Sequence, residues 1–421
     1  MTATESPRPR RAAPLIRRLL LLALVSLIAP AAWPADEIPF RVQFQLALTP
    51  GNGAGNASIR IVQPAGQLRR LDLDMPAAVF SAVTGDGRIA RSGDRVRWEI
   101  PRRGGELRYK ALISHRRAGT GYDALVTDRW ALLRIDDVFP SASAGLKPGA
   151  NGKGELRLLL PPGWSTFTPY PANAAGVVEF RSDARRFPRP VGWMIAGQIG
   201  SRMDVLGGTS VRVAAPRGQP APRVPMLALL RATLPLLRQQ LPRLPDHLLI
   251  VTAGDPMWRG GLSAPNSLYL HADRPLISEN ATSPLLHELL HVVAPITTAR
   301  DADWIDEGFA EYLALRSLRD SDTISRERFA RAIETFRRRG KHVRTLTTSA
   351  ARGDVTARAV AILADVDQEL LALTGRRADI FTLTRRLMDE KDPVDSAKLR
   401  DLAAEVAGGR ALVSLGRDRI P

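Results

Sequence analysis

Apolar and polar residues alternate along much of the first half of the chain, between about positions 38 and 213. Residues 40–46, 58–62 and 95–100 each place apolar side chains at every second position. A period of two is typical of half-buried strands, and the Gly, Pro, Asn and Asp clusters between these runs indicate turns. The pattern therefore predicts a β-rich, sandwich-like domain over residues 36–215.

The second half of the chain follows the helical period instead. A proline-rich stretch over residues 216–225 separates the two halves and is interpreted as a linker. Two short strands are predicted at residues 247–251 and 267–270, and Pro235 is expected to break or kink its helix. The predicted helices cover residues 226–241, 284–294, 304–318, 356–374, 378–391 and 396–407. The two halves together predict an α+β multidomain protein whose second domain, residues 226–421, is mainly helical.

The first 35 residues have the pattern of a secretory signal peptide. Arginines between positions 8 and 18 precede an almost unbroken apolar run over residues 19–33. That run is shorter than the roughly 20 residues that a helix needs to cross a bilayer. Small residues at Ala29 and Ala31 fit a cleavage site. We therefore predict an exported protein, periplasmic or secreted, with an uncleaved membrane anchor as the alternative.

Composition narrows the range of partners. The 421 residues are 44% hydrophobic, which is ordinary for a globular protein with an ample core, and none of them is cysteine. A formal net charge of +17 favours anionic partners in general. The arginines are nevertheless scattered, and no nucleic-acid recognition motif accompanies them. We expect no nucleic-acid partner and at most a weak contact with an anionic surface.

Two histidines four residues apart give the strongest chemical signal. His287 and His291 lie on one face of the helix predicted at residues 284–294, and Glu288 lies between them. Two imidazoles at this spacing can bind one Zn²⁺, and the pattern His-Glu-x-x-His on a helix is that of a metalloprotease. Alone, the same pattern also arises by chance on a charged helix face.

The next predicted helix adds two carboxylates. Glu307 and Glu311 are four positions apart on a face that also carries apolar residues, where unpaired acids are costly, so a bound cation is favoured. We predict one Zn²⁺ held by His287, His291 and Glu307. Glu311 is predicted to accept an N–H from one histidine, with an ordinary surface acid as the alternative. Glu288 is then the general base that activates a water for hydrolysis of a peptide bond.

This arrangement resembles a known class of enzymes. A His-Glu-x-x-His motif followed by Glu-Gly-Phe-x-x-Tyr is the gluzincin pattern, which the alanyl and glycyl aminopeptidases share. The glycyl aminopeptidase family is the more similar of the two. The segments that carry this resemblance are Glu307-Gly308-Phe309, Tyr312, residues 247–252, Gly260-Gly261-Leu262 and Asn266-Ser267. The resemblance covers roughly residues 223–407 and implies a thermolysin-like catalytic domain, one Zn²⁺, and cleavage of short peptides from the amino end.

Three departures from that family concern the substrate and the end of the chain. Ser263 replaces an acid that holds the substrate's free amine, and a serine cannot form that ion pair. Thr356 replaces a tyrosine that steadies the oxyanion, and one such donor is worth about 100- to 1,000-fold in rate. Arg358 is a candidate to compensate for it. Because few residues follow position 407, we expect no C-terminal PDZ domain, which family members often carry.

The sequence therefore predicts a zinc peptidase that acts on short peptides in the manner of an aminopeptidase. Two alternatives stay open: a zinc peptidase that does not require a free amine, and a zinc-containing protein that binds peptides with little turnover. The residues predicted to line the substrate cleft are Gly260, Gly261, Leu262, Ser263, Thr356 and Arg358.

Overall fold

The computed structural model describes residues 38–117, 121–181 and 187–416. The predicted signal peptide, residues 1–35, lies outside these ranges. Within them, no helix is both long enough and apolar enough to cross a membrane.

Fifteen strands and one short helix make up the β-rich part of the described chain. In order they are β1 (Ile38–Leu48), β2 (Ala54–Val62), β3 (Leu68–Asp74), β4 (Phe80–Gly85), β5 (Arg88–Ser92), β6 (Arg95–Glu99), β7 (Gly104–Leu112), β8 (His115–Arg117), β9 (Gly121–Val126), β10 (Trp130–Arg134), α1 (Ile135–Val138), β11 (Ala142–Leu146), β12 (Ala150–Leu159), β13 (Ser165–Phe167), β14 (Val178–Arg181) and β15 (Trp193–Gly197). They form three sheets, with the orders β14-β12-β1-β2-β7-β4, β11-β3-β6-β5 and β13-β15-β10-β9-β8.

The alternating pattern explains why these strands pack as they do. Phe40, Val42, Phe44 and Leu46 of β1 are buried, while the residues between them are more exposed. The ring of Phe44 meets that of Phe139 edge to face, with centroids 5.0 Å apart. One face of the sheet thus builds an apolar core, as a period of two requires.

The remaining elements form a second part with its own mixed sheet. In order they are β16 (Ile199–Leu206), β17 (Thr209–Pro216), α2 (Arg223–Gln240), β18 (His247–Ala253), β19 (Gly261–Ala264), β20 (Ser267–His271), α3 (Pro284–Val293), α4 (Asp303–Asp320), α5 (Arg326–Gly340), α6 (Asp354–Leu373), α7 (Ile380–Met388) and α8 (Ser396–Val406), followed by a 3₁₀ turn at Val413–Leu415. The sheet order is β16-β17-β18-β20-β19, with β18 parallel to both β17 and β20, and β19 antiparallel to β20 at the edge.

The predicted fold class is confirmed: a β-rich first part precedes a largely helical second part. The structure differs from the sequence prediction in detail. β16 and β17 fall within the predicted β-rich range, residues 36–215, yet they pair with each other and then with β18 of the second part. The sheet that a strand joins depends on its pairing with distant segments. The alternation of residues within one strand does not reveal which segment that is.

The expected break of a helix at Pro235 is wrong, and a kink there stays a prediction. α2 continues through Pro235 without a break, from Arg223 to Gln240. Helix α4 begins without a side-chain cap, since its N-cap is Ala302 and no side chain bonds there. The carboxylate of Asp303 instead accepts a hydrogen bond from the backbone N–H of Ala351, at 2.6 Å, and so links the start of α4 to the segment before α6.

A small apolar cluster joins the two parts behind the edge strand. The indole of Trp193 lies against the ring of Tyr269 of β20, with centroids 5.4 Å apart. The Trp193 indole N–H donates to the carbonyl of Leu262 in β19, at 2.9 Å. β19 is therefore held by the first part of the chain, and it also contacts α3.

Candidate metal centre

Helix α3 presents its polar residues on one side only. The side chain of Ser283 caps the helix by accepting from Leu286 N–H at 3.3 Å, and Pro284 occupies the first turn, where its missing N–H is harmless. Five apolar residues of the helix are buried: Leu285, Leu286, Leu289, Leu290 and Val293. The imidazoles of His287 and His291 therefore emerge on the opposite side, as the four-residue spacing requires.

Helix α4 packs against α3 and brings a carboxylate to the two imidazoles. The Nε2 atoms of His287 and His291 lie 3.2 Å apart. The Glu307 carboxylate lies 3.4 Å from Nε2 of His287 and 3.7 Å from Nε2 of His291. One ligating atom from each of these residues can be chosen so that all lie within 4.8 Å of one another. The structure thus brings together the three predicted metal ligands.

These distances and donor types fit a zinc ion. Tetrahedral Zn²⁺ with bonds of about 2.0–2.2 Å separates its ligand atoms by roughly 3.3–3.6 Å. The two nitrogens lie 3.2 Å apart, and the two Glu307 oxygens lie near that range as well, with Oε2 at 3.4 Å from His287 Nε2 and Oε1 at 3.7 Å from His291 Nε2. Two imidazoles and one carboxylate are also the protein ligands of a catalytic zinc site that keeps its fourth position open.

The outer nitrogen of each imidazole is held by its own carboxylate. His287 Nδ1 donates to Glu311 at 2.9 Å, and His291 Nδ1 donates to Asp306 at 3.1 Å. A proton on each Nδ1 leaves the Nε2 lone pair directed at the shared point, which is the tautomer that a metal ligand needs. Asp306 was not predicted from the sequence.

The pKa values reflect the same concentration of negative charge around the imidazoles. Burial by itself lowers the pKa of His287, but hydrogen bonds with Glu307 and Glu311 outweigh it and raise that pKa well above its usual value. His291 behaves alike: burial lowers its pKa, but the hydrogen bond with Asp306 and the negative charge of that carboxylate outweigh this effect and raise the pKa above its usual value. The pair of imidazoles is therefore a place that favours positive charge.

Glu288 lies between α3 and the edge strand. Its side chain comes close to Gly261 in the edge strand β19. Burial raises the pKa of the Glu288 carboxyl, with the neighbouring His287 as the main opposing influence. This carboxylate shares one open cleft of about 510 Å³ with the metal-binding cluster.

The predicted cleft residues divide into two groups. Gly260, Gly261 and Thr356 line the cleft, whereas Leu262, Ser263 and Arg358 do not. The backbone of Arg358 lies against Gly340, in the contact between α5 and α6. Its side chain points away from that of Thr356, because two positions along a helix differ in direction by more than half a turn. Residues missed from the sequence also line the cleft: Trp258, Arg259, Arg274, Arg339 and Arg352. No local pattern marks them, since they come from separate loops and from the end of α5.

Comparison with known proteins supports the fold and goes no further. No protein-family model matches this sequence, and no curated protein is significantly similar to it. The structure is similar to an aminopeptidase N family protein from Idiomarina loihiensis, with a TM-score of 0.63 and 12% identity over 82% of this chain and 70% of that one. It is also similar to yeast LTA4 hydrolase in complex with bestatin, with a TM-score of 0.57 and 13% identity over 89% of this chain and 67% of the other. The finer resemblance to glycyl aminopeptidases stays a prediction.

Proposed function

We propose that the protein is a zinc-dependent peptidase that hydrolyses short peptides. The observation that carries this proposal is the convergence of two imidazoles and the Glu307 carboxylate beside Glu288, in one open cleft. The structural neighbours, named as an aminopeptidase N family protein and an LTA4 hydrolase, support the same class of reaction.

The residues that hold the ion in this proposal are His287, His291 and Glu307. A bound Zn²⁺ supplies Lewis acidity, which makes a water nucleophilic near neutral pH and polarises the carbonyl of the peptide. Glu311 and Asp306 fix the two ring orientations through the Nδ1 hydrogen bonds, so that the site is assembled before substrate enters.

Glu288 is the general base in this proposal. It accepts the proton of the attacking water and delivers it to the leaving amine when the C–N bond breaks, so it ends the cycle ionised as it began. Its burial raises its pKa toward the working range of a base near neutral pH.

The edge strand β19 is suited to hold the peptide itself. It pairs with β20 on one side only, so backbone N–H and C=O groups along its other edge are available to an extended chain. A peptide added there lies beside Glu288, because Gly261 in β19 approaches that side chain. Main-chain pairing of this kind gives affinity without demanding a particular side chain.

The proposal has two forms: one enzyme recognises the free amino end of the peptide, and the other does not. The sequence resemblance and the names of the neighbours favour cleavage from the amino end. A peptidase that does not select a free amine is favoured by a different observation. Among described residues, the carboxylates that line the cleft are those of Glu288, Glu307 and Glu311, and each is already engaged within the catalytic cluster. No further acid of the described chain faces the cleft to bind an amine.

Metal analysis and a peptide-library digest of the purified protein test the proposal together. We expect one zinc per chain, and cleavage that stops on chelation and returns with added zinc. Glu288→Gln should keep its zinc and lose about 100- to 10,000-fold in rate; full activity in that variant refutes the base assignment. Peptides with free and blocked amino ends then decide between the two forms. Full zinc occupancy with peptide binding but no cleavage favours the weakly active binding protein.

A further inference from the structure

The cleft that holds the candidate metal centre is rich in arginine. Four guanidinium side chains line it: those of Arg259, Arg274, Arg339 and Arg352. They come from the segment before β19, the loop after β20, the end of α5 and the segment before α6. Distant parts of the chain therefore place the same charge around one opening.

The four arginines differ in whether a carboxylate of the protein already neutralises them. Arg259 donates to Asp255 at 3.0 Å. Arg339 lies 3.5 Å from Asp354. Arg274 and Arg352 have no hydrogen-bond or ion-pair partner for their guanidinium groups within the part of the chain that the structure describes.

Arg352 is the better placed of the two unpaired arginines. It directly precedes Gly353, the N-cap of α6, and the cleft also contains Gly353 and Thr356. Its guanidinium is close enough to interact electrostatically with the carboxylate of Glu307. A group bound by Arg352 would consequently lie in the same cleft as Glu307 and the proposed metal ligands.

We propose that this cleft selects peptides with a carboxylate close to the scissile bond, and that Arg352 and Arg274 bind it. This inference rests on the proposed peptidase function and names its substrate class. A guanidinium offers a planar fork of donors that matches a carboxylate, and such charge-assisted bonds are about twice as strong as neutral ones. The acids of the cleft are already engaged, so the charge that remains for a substrate is positive.

Two groups of a peptide supply this chemistry: an Asp or Glu side chain, and the free carboxyl end of a short peptide. The cleft volume of about 510 Å³ is that of a site for small ligands, which fits a short peptide carrying either one. A matched peptide series separates these sources. It varies the carboxyl end between acid and amide, and independently varies the residues flanking the bond between Asp or Glu and Asn or Gln.

The experiment compares kcat and KM for this series in the zinc-loaded wild type and in Arg352→Gln, Arg274→Gln and the double variant. We expect the wild type to prefer the carboxylate form of at least one position by about 10- to 100-fold. The double variant should lose most of that preference, mainly through KM, and cleave the neutral peptides as before. Arg60→Gln, which removes an exposed arginine from β2, controls for the change in net charge.

A binding measurement keeps this inference separate from the peptidase proposal. Titration calorimetry of the same peptides into zinc-loaded Glu288→Gln protein should show the same carboxylate preference and the same dependence on the two arginines. If no peptide is cleaved by the wild type but this preference in binding is present, the peptidase proposal fails and the ligand class stands. Equal binding of acid and amide peptides, or an equal loss for both kinds in the arginine variants, overturns the inference.

Discussion

The carboxylate side chain of Glu288 lies so close to Gly261 that a Cβ at position 261 would meet Glu288 Cγ at 2.7 Å and Oε1 at 2.9 Å. Gly261 is the first residue of β19, and its missing side chain lets the edge strand approach α3. Strand and helix therefore set the position of the proposed base jointly.

Gly261→Ala should impair hydrolysis without removing the metal. The added methyl group has to push the Glu288 side chain aside, and a displacement of about 1 Å in a catalytic group can lower the rate about 100-fold. We expect a fall in kcat of that order with unchanged zinc content by metal analysis. Gly254→Ala is the matched control, because a Cβ there meets nothing within 4 Å. Equal loss in both variants would show that the effect is not specific to Glu288.

The part of the site that is local in sequence could be predicted from the sequence. His287, Glu288 and His291 are fixed relative to one another by the period of a single helix, and Glu307 and Glu311 by that of the next. Helical spacing alone did not reveal that Asp306 reaches His291, since adjacent positions differ in direction by about 100°. Only the packing of α4 against α3 places that carboxylate.

The parts that long-range packing decides could not be predicted. Arg274 and Arg352 meet in one cleft because the loop after β20 and the segment before α6 fold to the same place. α5 (Arg326–Gly340) was not predicted as a separate helix, because its buried apolar residues are few and stand among many charged ones. The general division into a β-rich and a helical part was predictable, since it depends on period alone.

Glu311→Ala should weaken zinc binding. The carboxylate of Glu311 accepts from Nδ1 of His287 at 2.9 Å, and loss of such a partner typically lowers metal affinity about 10- to 100-fold. Glu311→Gln retains an acceptor oxygen and should lose less. Competition with a chelator of known affinity measures both. If the alanine variant holds zinc as tightly as the wild type, Glu311 does not orient His287.

Asp367→Ala should destabilise the fold strongly. The buried Asp367 accepts from the hydroxyl of Tyr312 at 2.7 Å, from the backbone N–H of Ile380 at 3.0 Å, and from the guanidinium of Arg316. It thereby ties α4, which carries Glu307, to α6 and α7. Removing one partner of a buried ion pair costs up to about 3–5 kcal/mol, and here it takes away the fully buried carboxylate among those that compensate Arg316. The free energy of unfolding from urea denaturation should fall by that amount.

The control for this change is Asp320→Ala. Asp320 binds the same arginine, Arg316, at 3.0 Å, but its side chain is partly exposed to solvent. An exposed pair of this kind contributes about 0–1 kcal/mol. A similar loss of stability in the two variants would mean that burial of Asp367 does not matter.

Thr356→Tyr should increase the rate of hydrolysis. The sequence resemblance places at position 356 a tyrosine that steadies the oxyanion, and Thr356 lines the cleft with His287 and Glu288. No tyrosine of the described chain lines that cleft, so no phenol hydroxyl is placed there to stabilise the developing negative charge. Because one such donor is worth about 100- to 1,000-fold, a new phenol hydroxyl in an unoptimised position should still raise kcat by about tenfold.

Thr356→Phe is the matched comparison, since it adds the same ring without the hydroxyl. Steady-state kinetics on one peptide should show a higher kcat for the tyrosine variant than for the phenylalanine variant, with similar KM values, because the hydroxyl acts on the transition state and not on the bound substrate. Equal kcat values for the two variants would mean that residue 356 does not face the oxyanion. The donor would then have to come from another group of the cleft.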